Sequence, residues 1–289
     1  MAPLAGAVTW VRRRLWLVAA LTLLHLLVAH LAAAPLSSAL APVIDDRPAA
    51  RAMLAGDDGL TGELLSDHPS LARVGSESAQ AAALLWGLFY WLLSGGILAQ
   101  LDEREPERGP GALLGACGKH GARMIKVGLW GLSLRLAAVA LGAGVWFALR
   151  PFSRGAGFGA LELNALAALA TLAIGWSLGS VALNYARAIA IALPSVRAFR
   201  AVGRGLRLAA HKLRPTLLIA LFAGGGFVLT GALFHLAAHP LSSLSAGGLV
   251  ALSILRVALA LARVAITLTA LVACGLVALE RAPEPTASR

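Results

Sequence analysis

The chain is short of acid: 14 Asp and Glu stand against 25 Lys and Arg in 289 residues. Charge of either sign is scarce, at 13%, while 58% of residues are hydrophobic and mean hydropathy is +0.78. That composition excludes an ordinary soluble domain, in which about a quarter of residues are charged. There are two cysteines, Cys117 and Cys274, in no metal or redox spacing, so neither a disulfide framework nor a zinc module is implied. Short alternating strands are missing as well, which argues against a transmembrane barrel.

What the chain has instead is six long apolar runs, at roughly residues 15–34, 80–101, 127–149, 161–183, 215–238 and 249–279. At ~1.5 Å rise per residue, each is long enough to cross a ~30 Å hydrocarbon core. The expected fold is all-α, a polytopic transmembrane helix bundle of about six spans. Around the spans the sequence predicts a tail at 1–14, a loop at 35–79 and a second tail at 280–289. The loop mixes helix-favouring pieces with Gly and Pro breaks, and one or two short helices are expected there.

A net charge of +11 raises the question of nucleic acid, and the placement of the charge argues against it. On one side of the expected membrane lie 17 Lys/Arg, on the other five, and three (Arg135, Arg256, Arg263) fall within spans. The positive-inside rule then places both termini in the cytoplasm, with the acidic 35–79 loop outside. Arg12, Arg13 and Arg14, the apolar run after them and "AHLAAAP" imitate a cleaved signal peptide. A run of about 20 residues followed by further spans favours retention instead.

The stretch "NYARAIAIALPSVRAFRAVGRGLRLAAHKLRP", residues 184–215, carries seven Lys/Arg and no acid. Within its segment 194–214, Arg197, Arg200, Arg204, Arg207, His211 and Arg214 advance by three and four, as on one helix face. Phe199, Val202, Leu206, Ala210 and Leu213 fall on another, and Leu208 interrupts the pattern. A helix so divided lies in the membrane plane, apolar side among acyl chains and arginines among anionic phospholipid headgroups. The competing reading is a solvated loop that only obeys positive-inside. A similar basic piece, "PGALLGACGKHGARMIKVGL", precedes the third span, so a weak internal duplication is visible.

"NYARAIAIAL…AFRAVGRGLRL" resembles a family of largely uncharacterised bacterial integral membrane proteins. That family's signature is Asp-Tyr-Ala-Arg-Ile at the cytoplasmic end of a span, followed by a basic amphipathic segment. Tyr185, Ala186 and Arg187 match the signature, and Asn184 stands where the family usually has Asp. "LARVAITLTALVACGLVALE" is similar to the family's Arg-containing last helix, and "LLSGGILAQLDERE" to its Ser-Gly-Gly turn. The resemblance implies a six-span inner-membrane protein and no established reaction.

Among sites of chemistry, "GWSLG" at 175–179 has the G-x-S-x-G form but lies inside an apolar run. Gly175 and Gly179 read there as a helix-packing face, with Ser177 and His25 as a remote catalytic alternative. His235 and His239 stand four apart, yet "HLAAH" has no Glu between them, so no metal set and no cofactor is predicted. His25 itself reads as a hydrogen bonder at a helix contact. Arg135, Arg256 and Arg263 are the sharper signal, because charge within a span faces a partner or a cavity. Glu162, at the start of the fourth span, is the nearest acid, and a Glu162–Arg256 pair is expected. The arginines either snorkel and bond carbonyls and neutral side chains, or offer their forks to an anion.

The expected function is therefore not enzymatic. It is a lipid-engaging scaffold or accessory subunit, partnered by anionic phospholipid and by another membrane protein or a second copy. The alternative is a permease for an anionic amphiphile that uses the intramembrane arginines.

Overall fold

A computed structural model describes residues 2–45, 66–101, 109–153, 158–241 and 246–280. Among these, the structure is helical and has no strand. Eight helices follow in order: α1 (Ala2–Arg12), α2 (Leu15–Asp45), α3 (Pro69–Ala99), α4 (Pro110–Ser153), α5 (Phe158–Ala192), α6 (Ala198–His211), α7 (Leu213–Leu241) and α8 (Ala246–Leu279). Six of them, all but α1 and α6, are long and apolar enough to cross a membrane. The all-α expectation holds.

Several boundaries differ from the sequence reading. The tail at 1–14 contains a helix, α1, whose Ala7 and Val11, one turn apart, are buried. The 35–79 loop is shorter than expected, because α2 runs on to Asp45 and α3 already starts at Pro69. An exposed Arg73–Glu77 pair at 2.9 Å, spaced i,i+4, lies on that early part of α3. The short helices expected within the loop fall largely on 46–65, outside the described residues. The basic piece before the third span is not a separate element, since α4 runs unbroken for 44 residues. At ~1.5 Å per residue α4 is about 66 Å long, twice the thickness of a hydrocarbon core. In the second of the two similar segments the corresponding piece is a helix of its own, α6, set off from α7 at Lys212.

The chain divides into two compact units. One comprises Met1–Arg13, Tyr90–Gly226 and Ile266–Arg289; the other comprises Arg14–Phe89 and Phe227–Ala265. In the first unit α4, α5 and α6 pack on one another, and small residues set the spacing. Gly175 meets Ala138 and Gly179 meets Leu134, so the two glycines of "GWSLG" are packing positions of α5 against α4. Ser94, Gly95 and Gly96, expected as a turn, are helical and lie within α3. A Cβ on Gly96 would stand 2.6 Å from the carbonyl oxygen of Leu113 and 2.5 Å from Cys117 Sγ. Glycine serves close approach there rather than chain reversal. α1 belongs to the same unit, with Gly6 against Leu276 of α8.

In the second unit His25 of α2 meets Trp86 of α3 edge-on, ring centroids 4.6 Å apart. The expected helix contact is present, as an aromatic packing contact.

Candidate functional site

α6 starts because Pro194 stops α5: proline lacks the N–H to continue the ladder and pushes the preceding residue out of helical geometry. A turn closes there, with Val196 N–H donating to Leu193 O at 3.0 Å. Arg123 of α4 reaches under it, donating to Leu193 O at 3.1 Å and also to Val196 O. It thus satisfies carbonyls that the end of a helix leaves without partners. Arg197 is extended (φ −64°, ψ 147°) and α6 begins after it.

Three faces, not two, run along α6. Ala201, Val202, Gly205 and Leu208 are buried against the body of the unit. A Cβ on Gly205 would strike the Ala182 carbonyl of α5 and stand 2.8 Å from the backbone nitrogen of Ala186. Val202, expected on the outer apolar side, is in the packed face, and Leu208, which looked like a break in the pattern, completes that face. Phe199 and Leu206 are exposed on the second side, together with Leu213 at the start of α7. Arg197, Arg200, Arg204 and Arg207 are exposed on the third, and Arg214 is exposed on α7. Phe199 lies 6.3 Å from the exposed ring of Trp130 on α4, and the Arg200 guanidinium lies 5.7 Å from the Phe199 ring.

Inside the same unit, the four signature positions lie within α5 and are all buried. Arg187, counted with the surface cations in the sequence, is 2% exposed. Its Nη1 donates to Asn184 Oδ1 at 2.6 Å, one helical turn back, and Tyr90 O–H of α3 donates to the same oxygen at 3.2 Å. The Arg187 guanidinium lies 4.9 Å from the Tyr90 ring. Arg187 Nε and Nη2 have no hydrogen-bond partner among the described residues. Tyr185 O–H meets Thr216 Oγ1 at 3.3 Å, and that hydroxyl donates to Ala209 O at 3.2 Å, which ties the end of α6 to α5 and α7. Arg135 of α4 is half-buried, lies 4.9 Å from the Trp176 ring, and its Nε also has no hydrogen-bond partner among the described residues.

The remaining candidates are placed separately. In the second unit Arg263 Nε donates to Thr230 Oγ1 at 3.0 Å, a neutral partner of the kind the sequence reading proposed for these arginines. Arg256 is exposed and stacks over Phe234, 5.9 Å from its centroid. Glu162 is exposed on α5, in the first unit, so the two residues expected to pair belong to different units. His235 is exposed, and the side chain of His239 lies outside the described residues. Among the described residues no three His, Cys, Asp or Glu side chains gather as a metal set would require.

Arg123 and Tyr90 carried no signal in the sequence, because each acts on residues far along the chain. Arg187 did carry one. The apolar run continues from Ser180 through "VALNYARAIAIA", which puts this arginine well inside a helix. Compared with protein-family models, curated proteins and solved structures, the chain matches none.

Proposed function

We propose that this chain is a non-catalytic membrane scaffold or accessory subunit that holds anionic phospholipid against α6. The observation that supports the reading is the division of α6 into a packed face, an exposed apolar face and an exposed arginine face. The packed face fixes the helix to α5, so the other two cannot rotate away from their surroundings. Phe199 and Leu206 then suit acyl chains, and Trp130 beside Phe199 suits the headgroup boundary that Trp favours. Arg197, Arg200, Arg204 and Arg207 suit phosphate, each worth about 1 kcal/mol near an anionic leaflet. On this reading α6 lies in the plane of a bacterial inner membrane, at its cytoplasmic surface.

Replacing Arg200, Arg204 and Arg207 by Gln should remove about 3 kcal/mol of preference for anionic lipid, roughly a hundredfold in relative affinity. Tryptophan quenching by brominated phosphatidylglycerol against brominated phosphatidylcholine measures that preference on the whole protein. The native preference should fall as salt is added, because exposed charges are screened. Equal lipid preference in native and substituted protein would remove the basis of this function.

Orientation follows from the same 17-to-5 distribution of cations. With both native cysteines replaced, Ser66→Cys should react with an impermeant thiol reagent on intact cells. Reaction only after permeabilisation would reverse the orientation, and with it the leaflet assigned to α6.

A further inference from the structure

We infer that the buried Arg187 guanidinium is the core of an internal site for a phosphate-type oxyanion, separate from the surface of α6 proposed to face lipid. Arg187 is 2% exposed, and among the described residues no carboxylate bonds to it. Its Nη1 donates to a neutral group, the amide oxygen of Asn184, which Tyr90 shares. A guanidinium removed from water without a counter-charge is strongly disfavoured. Arg135 makes the imbalance larger, since it is close enough to act on Arg187 electrostatically and has the same sign. Cys274 of α8 is buried too, and a thiol supplies no counter-charge.

Which nitrogens are left over identifies the ligand class. Nη1 is taken by Asn184; Nε and Nη2 are not taken. Those two N–H groups point in parallel along one edge of the planar guanidinium. That edge is the fork that receives two oxygens of a phosphate or carboxylate side by side. Arg135, a second cation acting on Arg187 electrostatically, favours the more highly charged of these, a phosphate group. The phosphate belongs either to the free ion or to a lipid headgroup.

The site would be tested by thermal unfolding of the full-length protein, in neutral detergent and then in nanodiscs. Inorganic phosphate, at ionic strength matched with chloride, should raise Tm by on the order of 5 °C at a hundredfold excess over its Kd. Two variants address the site itself. Asn184→Asp places a carboxylate at the oxygen that already accepts from Nη1, so it should raise Tm without added anion and abolish the response to phosphate. Arg187→Met removes the fork and the buried charge together, and should abolish the response while the protein stays folded. If free phosphate has no effect but phosphatidylglycerol discs stabilise the protein over phosphatidylcholine discs, the source is a headgroup, provided both variants lose that difference. No response to either source, or a response that persists in Asn184→Asp or Arg187→Met, overturns the site. The lipid preference of the α6 surface is read with Arg200, Arg204 and Arg207 replaced, so either proposal can fail without the other.

Discussion

Replacing Asn184 by leucine should destabilise the protein by about 3–5 kcal/mol, the range for breaking a buried charged interaction by removing one partner. Leucine keeps the branch of asparagine at Cγ but is larger, so overpacking adds to the electrostatic loss, and the double variant below separates the two. Arg187 Nη1 would lose its 2.6 Å acceptor, and Tyr90 O–H would lose the same oxygen. With Nε and Nη2 already unpartnered among the described residues, the guanidinium would be left with its contact to Tyr90. For a chain of this size such a loss lowers Tm by about 10 °C or more, measurable by thermal unfolding in detergent. Adding Arg187→Met to Asn184→Leu should recover much of the loss, because the charge that suffers is gone. A double variant no more stable than the single one would show that Asn184 acts through packing rather than through Arg187.

The two glycines of α6 should respond to alanine with opposite signs. At Gly205 the added methyl meets two backbone groups of α5, Ala182 O and Ala186 N, neither of which can rotate aside. Relief requires the whole helix to retreat, and overpacking of this kind costs about 1–3 kcal/mol. At Gly203 nothing lies within 4 Å of the added carbon, and the residue is exposed. Alanine there should gain the ~0.5–1 kcal/mol by which it exceeds glycine in a helix. Hydrogen exchange reads this locally: backbone amides across 198–211 should exchange at least tenfold faster in Gly205→Ala and somewhat slower in Gly203→Ala. Changes of the same sign in both variants would mean that α6 is not held by close approach to α5. Because that approach keeps the arginine face turned outward, Gly205→Ala should also weaken the preference for anionic lipid.

Much of the architecture could be read directly from residue patterns. Long apolar runs leave a chain few options other than membrane-spanning helices, because every backbone group must find its partner within the segment. Pro194 and the three-and-four spacing of Arg197, Arg200, Arg204 and Arg207 located α6 for an equally local reason. Its ends and its charged face depend on backbone geometry within a few residues. The packing role of Gly175 and Gly179 was readable too, since four-residue spacing aligns small residues on one side of a helix.

What local pattern could not supply was the neighbour. Val202 and Leu206 are both apolar, and only the position of α5 decides that the first is buried within the unit and the second exposed. Leu208 looked like an interruption because a two-faced helix was assumed, whereas a helix packed on one side and exposed on two needs a third face. The acids show the same division. The scarcity of Asp and Glu in the spans is plain from the sequence, but the consequence falls on Arg187 only through burial. Tyr90, 94 residues from Asn184 along the chain, lies against the guanidinium and bonds the same amide oxygen. The sequence by itself determined how many helices are long and apolar enough to cross a membrane and where the cations lie along them, because hydrophobic length and charge are properties of single segments. Only the tertiary structure decided which arginine was taken out of water and which were left on the surface, because desolvation depends on what other helices bring to the residue.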